Sequence, residues 1–297
     1  MTAKKMKKNN RKKIFFGSPI FVGAFLVFLL LLVFGVIKMV ISFKNTSLRR
    51  FSRTSFVLID RKGELLIFSS ERKLGQIYFL PAETVEVGRG FGEYEWRKIY
   101  GLGELEKKGG LLVSETIRKN LNIAIFGYFY DGNKEADYYR KNPSKLFRNV
   151  FWQALTGKVK TDLGKIDLFL LYLRALSLNK SLLEIDDYSG RENIADSKIS
   201  EESLALEVLN ATLHNGLAQE AANFLEKSGV RVIRSADALK PEENCKIKSE
   251  VEFKESYTLF WVKRFFPCRV IFNKDGSRAD ITVILGEDYW KRGVDKW

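Results

Sequence analysis

Few residues in this chain are equipped for chemistry, and they narrow what it can be. A single histidine, His214, stands in 297 residues, which excludes most reactions that depend on imidazole. With only two cysteines, Cys245 and Cys268, the set falls short of a zinc site in ligand number and spacing. In an oxidising compartment an even pair points to one disulfide; two buried thiols are the alternative. A bridge would close a loop worth about 3 kcal/mol in the chain-entropy view. No G-x-x-x-x-G-K-[ST], G-x-S-x-G or H-E-x-x-H pattern occurs. The glycines of "VGRGFGEY" could cradle a phosphate, but they do not join a strand to a helix and read as a flexible loop. That leaves "QIYFLPAETVEVG", residues 76–88, a buried strand that runs into a proline turn and out again. Pro81, Ala82, Glu83 and Thr84 are either the rim of a site or what remains of one.

The surrounding pattern is α/β. "SFVLID", "ELLIFSS" and "QIYFLP" are short apolar runs separated by charged, glycine-containing turns, as in packed strands. "EWRKIYGLGELEKKGG" contains a short helix. "LLVSETIRKNL" places Val113, Ile117 and Leu121 on one helical face, and "IAIFGYFY" is again a strand. Strands alternating with helices indicate a layered domain. The polar stretch "NKEADYYRKN" interrupts the pattern. Two helices follow, "SKLFRNVFWQALTG" and "KIDLFLLYLRALSL", the second with Leu168, Leu171, Tyr172, Ala175 and Leu178 as a core stripe.

Residues 186–203, charged and nearly free of large apolar side chains, read as a linker. Beyond it, residues 204–297 form a small α/β domain. "LALEVLNAT" is a strand, and "LAQEAANFLEKSG" is a helix ending at Gly229, where a left-handed cap fits. "VRVIRSA", "CRVIFN" and "ADITVILG" are strands, and "YTLFWVKRFF" is a helix with a packed face and a basic outer edge. The glycosylation triplet at Asn210 falls at a strand end and is discounted.

Net charge is +14, of which the tail of residues 1–13 supplies +7 through Lys4, Lys5, Lys7, Lys8, Arg11, Lys12 and Lys13. The remaining charge is too mild for a nucleic-acid partner, which wants a concentrated basic face. Ile14 to Ile37 carries no charge in 24 positions, enough to span a bilayer. The run is too long for a signal peptide and has no small-residue cleavage site. An uncleaved transmembrane helix at 14–41 is therefore expected, with the N-terminus cytoplasmic by the charge bias and the body outside.

Taken together, "LEVLNATLHNGLAQEAANFLEKSGVRV" followed by "RADITVILGEDY" resembles the LytR C-terminal domain over about residues 204–290. Within an expected external domain at 45–185, about residues 55–131, and by extension the helices to 185, resemble more faintly the LytR-CpsA-Psr domain of bacterial envelope proteins. There "QIYFLPAETVEV" falls where that family has a strand ending in Ile-Pro-Arg-Asp-Thr. The resemblance implies an α/β/α sandwich and transfer of glycopolymers from a polyprenyl pyrophosphate to the cell wall. Such phosphoryl transfer needs an arginine clamp and Mg²⁺. In this chain the motif's arginine falls on Ala82 and its aspartate on Glu83. By the same resemblance Asp60 and Glu83 are the candidate metal ligands; if the site is active, Arg97, Lys98 or Arg140 would replace the lost arginines as phosphate-binding cations. Losing clamp arginines removes several kcal/mol of transition-state stabilisation. The expectation is thus a degenerate, non-catalytic binder or scaffold for a polyprenyl-linked glycan, peptidoglycan or an envelope partner. An active phosphotransferase with a rearranged site, using Mg²⁺, is the alternative, and an envelope protein with no glycan connection the third reading.

Overall fold

The structure, a computed structural model, describes residues 23, 25–30, 32–34, 48–88, 91–252, 255–272 and 278–292. The basic tail and most of the expected anchor lie outside these residues. Among the described residues no helix is long and apolar enough to cross a membrane. The chain divides into two units, Met1–Thr46 and Ser47–Trp297. Of the first, the described positions are helical with exposed apolar side chains.

The second unit contains two main sheets. The first has six strands: β1 (Arg53–Ile59), β2 (Leu65–Glu71), β3 (Leu74–Phe79), β6 (Ile125–Tyr130), β7 (Lys160–Thr161) and β8 (Leu183–Asp187), in the order β7-β6-β1-β2-β3-β8. β1 is antiparallel to β2 and parallel to β6. A strand buried along its whole length must serve two cores, and the period-2 alternation divides its residues between them. Phe56, Leu58, Leu66, Phe68, Ile77 and Phe79 face one side, where helices α4 (Pro143–Leu155) and α5 (Lys165–Leu176) pack through Phe147, Phe151, Leu168 and Leu171. Val57, Ile59, Leu65, Ile67 and Tyr78 face the other, where α1 (Trp96–Leu105) and α2 (Gly110–Leu121) pack through Trp96, Ile99, Val113 and Ile117. Helices on both faces of a sheet make the first half a three-layer α/β/α arrangement. The β1–β6 register slips between Ser55 and Val57. This irregularity lets Phe126 and Phe129, three apart, face the same core. At Gly127, between them, a Cβ would meet Asp162 Oδ1 and Leu163 at 2.9 Å.

The second sheet runs β10-β9-β13-β11-β12, from β9 (Ala205–Asn210), β10 (Arg231–Asp237), β11 (Lys246–Ser249), β12 (Arg269–Phe272) and β13 (Ile281–Leu285). Helices α7 (Leu217–Lys227) and α8 (Tyr257–Phe265) accompany it, and α9 (Glu287–Arg292) follows it. The basic helix is core-packed as expected: Trp261, Val262, Phe265 and Phe266 are buried. Cys245 and Cys268, each just ahead of β11 and β12, are joined in a buried disulfide with Cα atoms 4.9 Å apart. Asn210 is buried, its amide donating to His214 O and Asp237 Oδ1, so the glycosylation triplet is inaccessible.

The segment 186–203 is no loose linker. Asp186 and Asp187 belong to β8, which pairs in parallel with β3, and Asp196 caps a helix α6 (Ser197–Glu202). The buried Asp196 carboxylate accepts from Ser52 Oγ, from Arg53 N at 3.1 Å and from Tyr257 Oη at 2.5 Å. It thereby ties the entry to β1 to the start of α8. An aromatic seam runs alongside: Phe51 lies 4.6 Å from Phe126 and 4.9 Å from Phe260, and Phe126 lies 5.1 Å from Phe265. The two sheets share one hydrophobic core.

Candidate functional site

The loop after β3 leads into a two-stranded hairpin, β4 (Thr84–Val87) and β5 (Gly92–Glu95), which the glycine-rich reading of residues 87–94 missed. β5 runs directly into α1, and the Trp96 amide donates to Glu83 O at 3.1 Å. The N-terminus of α1 is therefore held against the Pro81–Thr84 turn. Gly63, in the turn between β1 and β2, braces it from the other side. Its φ is +82°, and a Cβ there would lie 2.2 Å from the carbonyl oxygen of Arg97.

These elements enclose a cleft of about 240 Å³, lined at the base by Leu65, Phe79, Leu80 and Trp96 and at the rim by Pro81, Ala82, Glu64, Arg97, Asp137 and Arg140. Of the residues singled out in the sequence, Pro81, Ala82, Arg97 and Arg140 come together here. Glu83, Thr84 and Lys98 do not line the cleft, and all three are exposed. Arg140 rides on α3 (Ala136–Lys141), a helix in the stretch that the sequence reading left as a polar break. Tyr139 explains the helix: it is buried, and its hydroxyl donates to Asp131 Oδ2.

The cleft is not a cationic clamp. Arg97 Nε lies 3.3 Å from Glu95 Oε2, and Arg140 Nη2 lies 2.7 Å from Asp187 Oδ1. Glu64 and Asp137 line the cleft itself, so its two guanidinium groups, each already paired with an acid outside the lining, share the cleft with two more carboxylates. The acidic field reaches Lys62, whose ammonium is held above its ordinary pKa by Glu135 first, with Glu64 and Asp137 adding to it. Lys98 also pairs with Glu95, at 3.1 Å. The Arg140 guanidinium stacks 4.0 Å above the Phe79 ring, which fixes its direction more than an exposed ion pair would.

Asp60 does not pair with Glu83 as a metal ligand pair. It is fully buried, and its carboxylate is occupied by backbone amides: Lys62 N and Glu64 N at 2.8 Å on one oxygen, Ala136 N at 2.7 Å on the other. Three of its roughly four acceptor directions are thus taken by the backbone, which leaves little for a hard cation. Asp60 instead positions the cleft, binding the β1–β2 turn to the start of α3. Among the described residues no group of three or more His, Cys, Asp or Glu converges as a metal site.

A broader, open groove runs along β3 and β8, lined by Arg53, Glu71, Gln76, Tyr78, Glu184 and Glu192. Sequence reasoning missed it because β8 was not recognised. The Tyr78 hydroxyl, buried and near Glu184, is pushed up to about 12.

With this geometry in hand, the chain can be set beside known proteins. Residues 203–289 match the family described as LytR cell envelope-related transcriptional attenuator. This is the LytR C-terminal domain. The match falls on the second sheet and its helices, where the sequence resemblance placed it. No curated protein matches the chain by sequence. Solved structures that resemble it include a transcriptional regulator from Enterococcus faecalis, at 13% identity, covering 61% of this chain and 89% of that one, TM-score 0.36. Others are TagV of B. subtilis (11%, 46% and 85%, TM-score 0.34) and TagT bound to LI-WTA (11%, 46% and 78%, TM-score 0.33). Likenesses at this level carry no weight for the site.

Proposed function

We propose that the chain is a membrane-anchored protein of the cell envelope, LytR-CpsA-Psr-like in its first half, that binds and does not catalyse. Residues 14–41 cross the membrane once, the N-terminus is cytoplasmic and the body is extracellular. The body holds part of a polyprenyl-linked glycan, or an envelope partner, at the cleft beside Pro81 and Ala82. The supporting observation is the charge balance of that cleft. A pyrophosphate brings at least two negative charges, and here it would meet the carboxylates of Glu64 and Asp137 and two arginines that are each already paired with an acid. The Ala82 side chain supplies no hydrogen bond, and the buried Asp60 carboxylate already accepts from three backbone amides. At about 240 Å³ the cleft is also smaller than the roughly 300–1,000 Å³ of ordinary ligand sites, too small for a polyprenyl chain.

One observation favours the second reading, an active phosphotransferase: Arg97 and Arg140 line the same cleft, and exposed ion pairs worth about 0–1 kcal/mol would release them to a substrate. Incubating the purified chain with a glycan linked to polyprenyl pyrophosphate, which offers the cleft the sugar portion, and Mg²⁺ separates the two. Binding without phosphate release supports the binder. Release abolished by Arg97→Ala or Arg140→Ala supports the transferase. Extraction of membranes at alkaline pH tests the anchor, which predicts that the chain stays in the pellet.

A further inference from the structure

The outward stripe of α4 and α5 is the least protein-like surface of the body. On α5, Phe169, Leu173 and Leu176 are 38%, 45% and 50% exposed, at the spacing of one helical face opposite the buried Leu168, Leu171 and Ala175. Trp152 of α4 is 52% exposed, and its ring lies 5.5 Å from that of Tyr172, which joins the two helices into one patch. Lysines close the stripe at both ends, Lys165 and Lys180, while Lys145 and Arg148 share the outer face of α4 with Trp152. All four cations are exposed, and among the described residues none has a carboxylate partner. Acids are nearly missing: α4 contains none and α5 only Asp167.

Beyond the basic tail, the net charge of the chain is concentrated in this segment. Residues 143–180 contain seven Lys and Arg against two Asp, a net +5. Residues 14–297 together carry +7, so everything else beyond the basic tail amounts to +2.

We propose that this stripe lies on an anionic lipid surface, so that the chain meets the bilayer a second time through α4 and α5. The inference rests on the anchor reading for proximity, and the residues supply the occupant. Aromatic and leucine side chains on one face, flanked by lysine and arginine, are the composition of a helix lying in a membrane interface. Protein interfaces instead deplete lysine and bury about 800 Å² on each partner. The start of the body agrees. Leu48–Arg50 form a 3-10 turn, and the α5 residue Arg174 donates to Phe51 O at 3.2 Å and to Ser52 O. Only ten residues, 38–47, separate the end of the apolar run from this turn, a reach of about 35 Å at most. A tether that short supplies a high local concentration, which adds to the patch's own attraction to anionic lipid.

The test uses the full chain with Leu173→Cys labelled by an environment-sensitive fluorophore, the native cysteines being paired. It is reconstituted into phosphatidylcholine vesicles with and without phosphatidylglycerol, each containing a brominated lipid as quencher. A label at the exposed Leu213→Cys, in the second half, is the reference. The expected result is strong quenching at 173 in anionic vesicles, little in neutral ones and none at 213. Raising the salt or introducing Lys145→Glu with Arg148→Glu reverses it, the docked-to-free ratio falling roughly fivefold or more per charge. Equal quenching at both sites, or none at 173, overturns the inference. So does shielding of 173 without lipid quenching, which would assign the stripe to a protein partner or a second copy. Alkaline extraction reports on the anchor separately. If it fails, the same labelled chain is added to preformed vesicles, where lack of quenching at 173 still overturns the stripe.

Discussion

At Asp60 the distinction between a ligand and a scaffold is made by three backbone amides. Replacing it with alanine leaves the Lys62, Glu64 and Ala136 N–H groups without their acceptor, the Ala136 group in a buried site and the other two in part-buried ones. At about 1–3 kcal/mol for the one buried unsatisfied group, Asp60→Ala should lower unfolding free energy by at least about 1 kcal/mol in chemical denaturation. Mg²⁺ should leave the wild-type midpoint unchanged; a rise with Mg²⁺ would restore Asp60 as a ligand. Gly63→Ala should also destabilise, because the new methyl cannot avoid the Arg97 carbonyl and the residue's φ is left-handed. The sequence marked Asp60 as the acid at the end of the first strand. Its role was not legible there, since one of its three donors lies 76 residues away, on α3.

Among the elements, long strands and helices with clear periodicity could be read in advance: β1, β2, β3, β6, α2, α4, α5, α7 and α8 fall where the apolar pattern puts them. The missed ones have a common cause. β8 ("LEIDD") and β11 ("KIKS") are short and charged, and only tertiary pairing, to β3 and to β13 and β12, makes them strands. Likewise, α3 has one buried tyrosine to hold it, and the β4–β5 hairpin is hidden in a glycine-rich stretch. The cleft was therefore half legible: Pro81, Ala82 and Arg97 could be placed, while the carboxylates that neutralise it, Asp137 and Asp187, sit on elements that were not seen. The Asp196 junction was invisible for the same reason. It predicts that Tyr257→Phe, which removes a 2.5 Å hydrogen bond to a buried carboxylate, costs about 1.5–3 kcal/mol and speeds amide exchange in α6. Unchanged exchange there would mean that the aromatic seam alone holds the halves together.

On the scale of the whole molecule, two linkages follow. Reducing the Cys245–Cys268 bridge should cost about 3 kcal/mol and act first on β11 and β12, whose starts it staples. Burial raises the Glu71 carboxyl, but bonds from Ser197 and the charge of Arg53 outweigh it, leaving it below its ordinary 4.5. A depressed carboxyl contributes stability above pH 4.5 that is lost as pH falls through the lower folded value. Glu71→Gln should therefore be less stable than wild type at neutral pH and converge with it in acid; parallel melting curves down to pH 3 would contradict this. The central claim is that the cleft has lost phosphoryl transfer, and phosphate release from a polyprenyl pyrophosphate by the purified full chain, with Mg²⁺ present, tests it most directly. The account predicts release no faster than the protein-free blank. Mg²⁺-dependent release that disappears in Arg97→Ala or Arg140→Ala would contradict it.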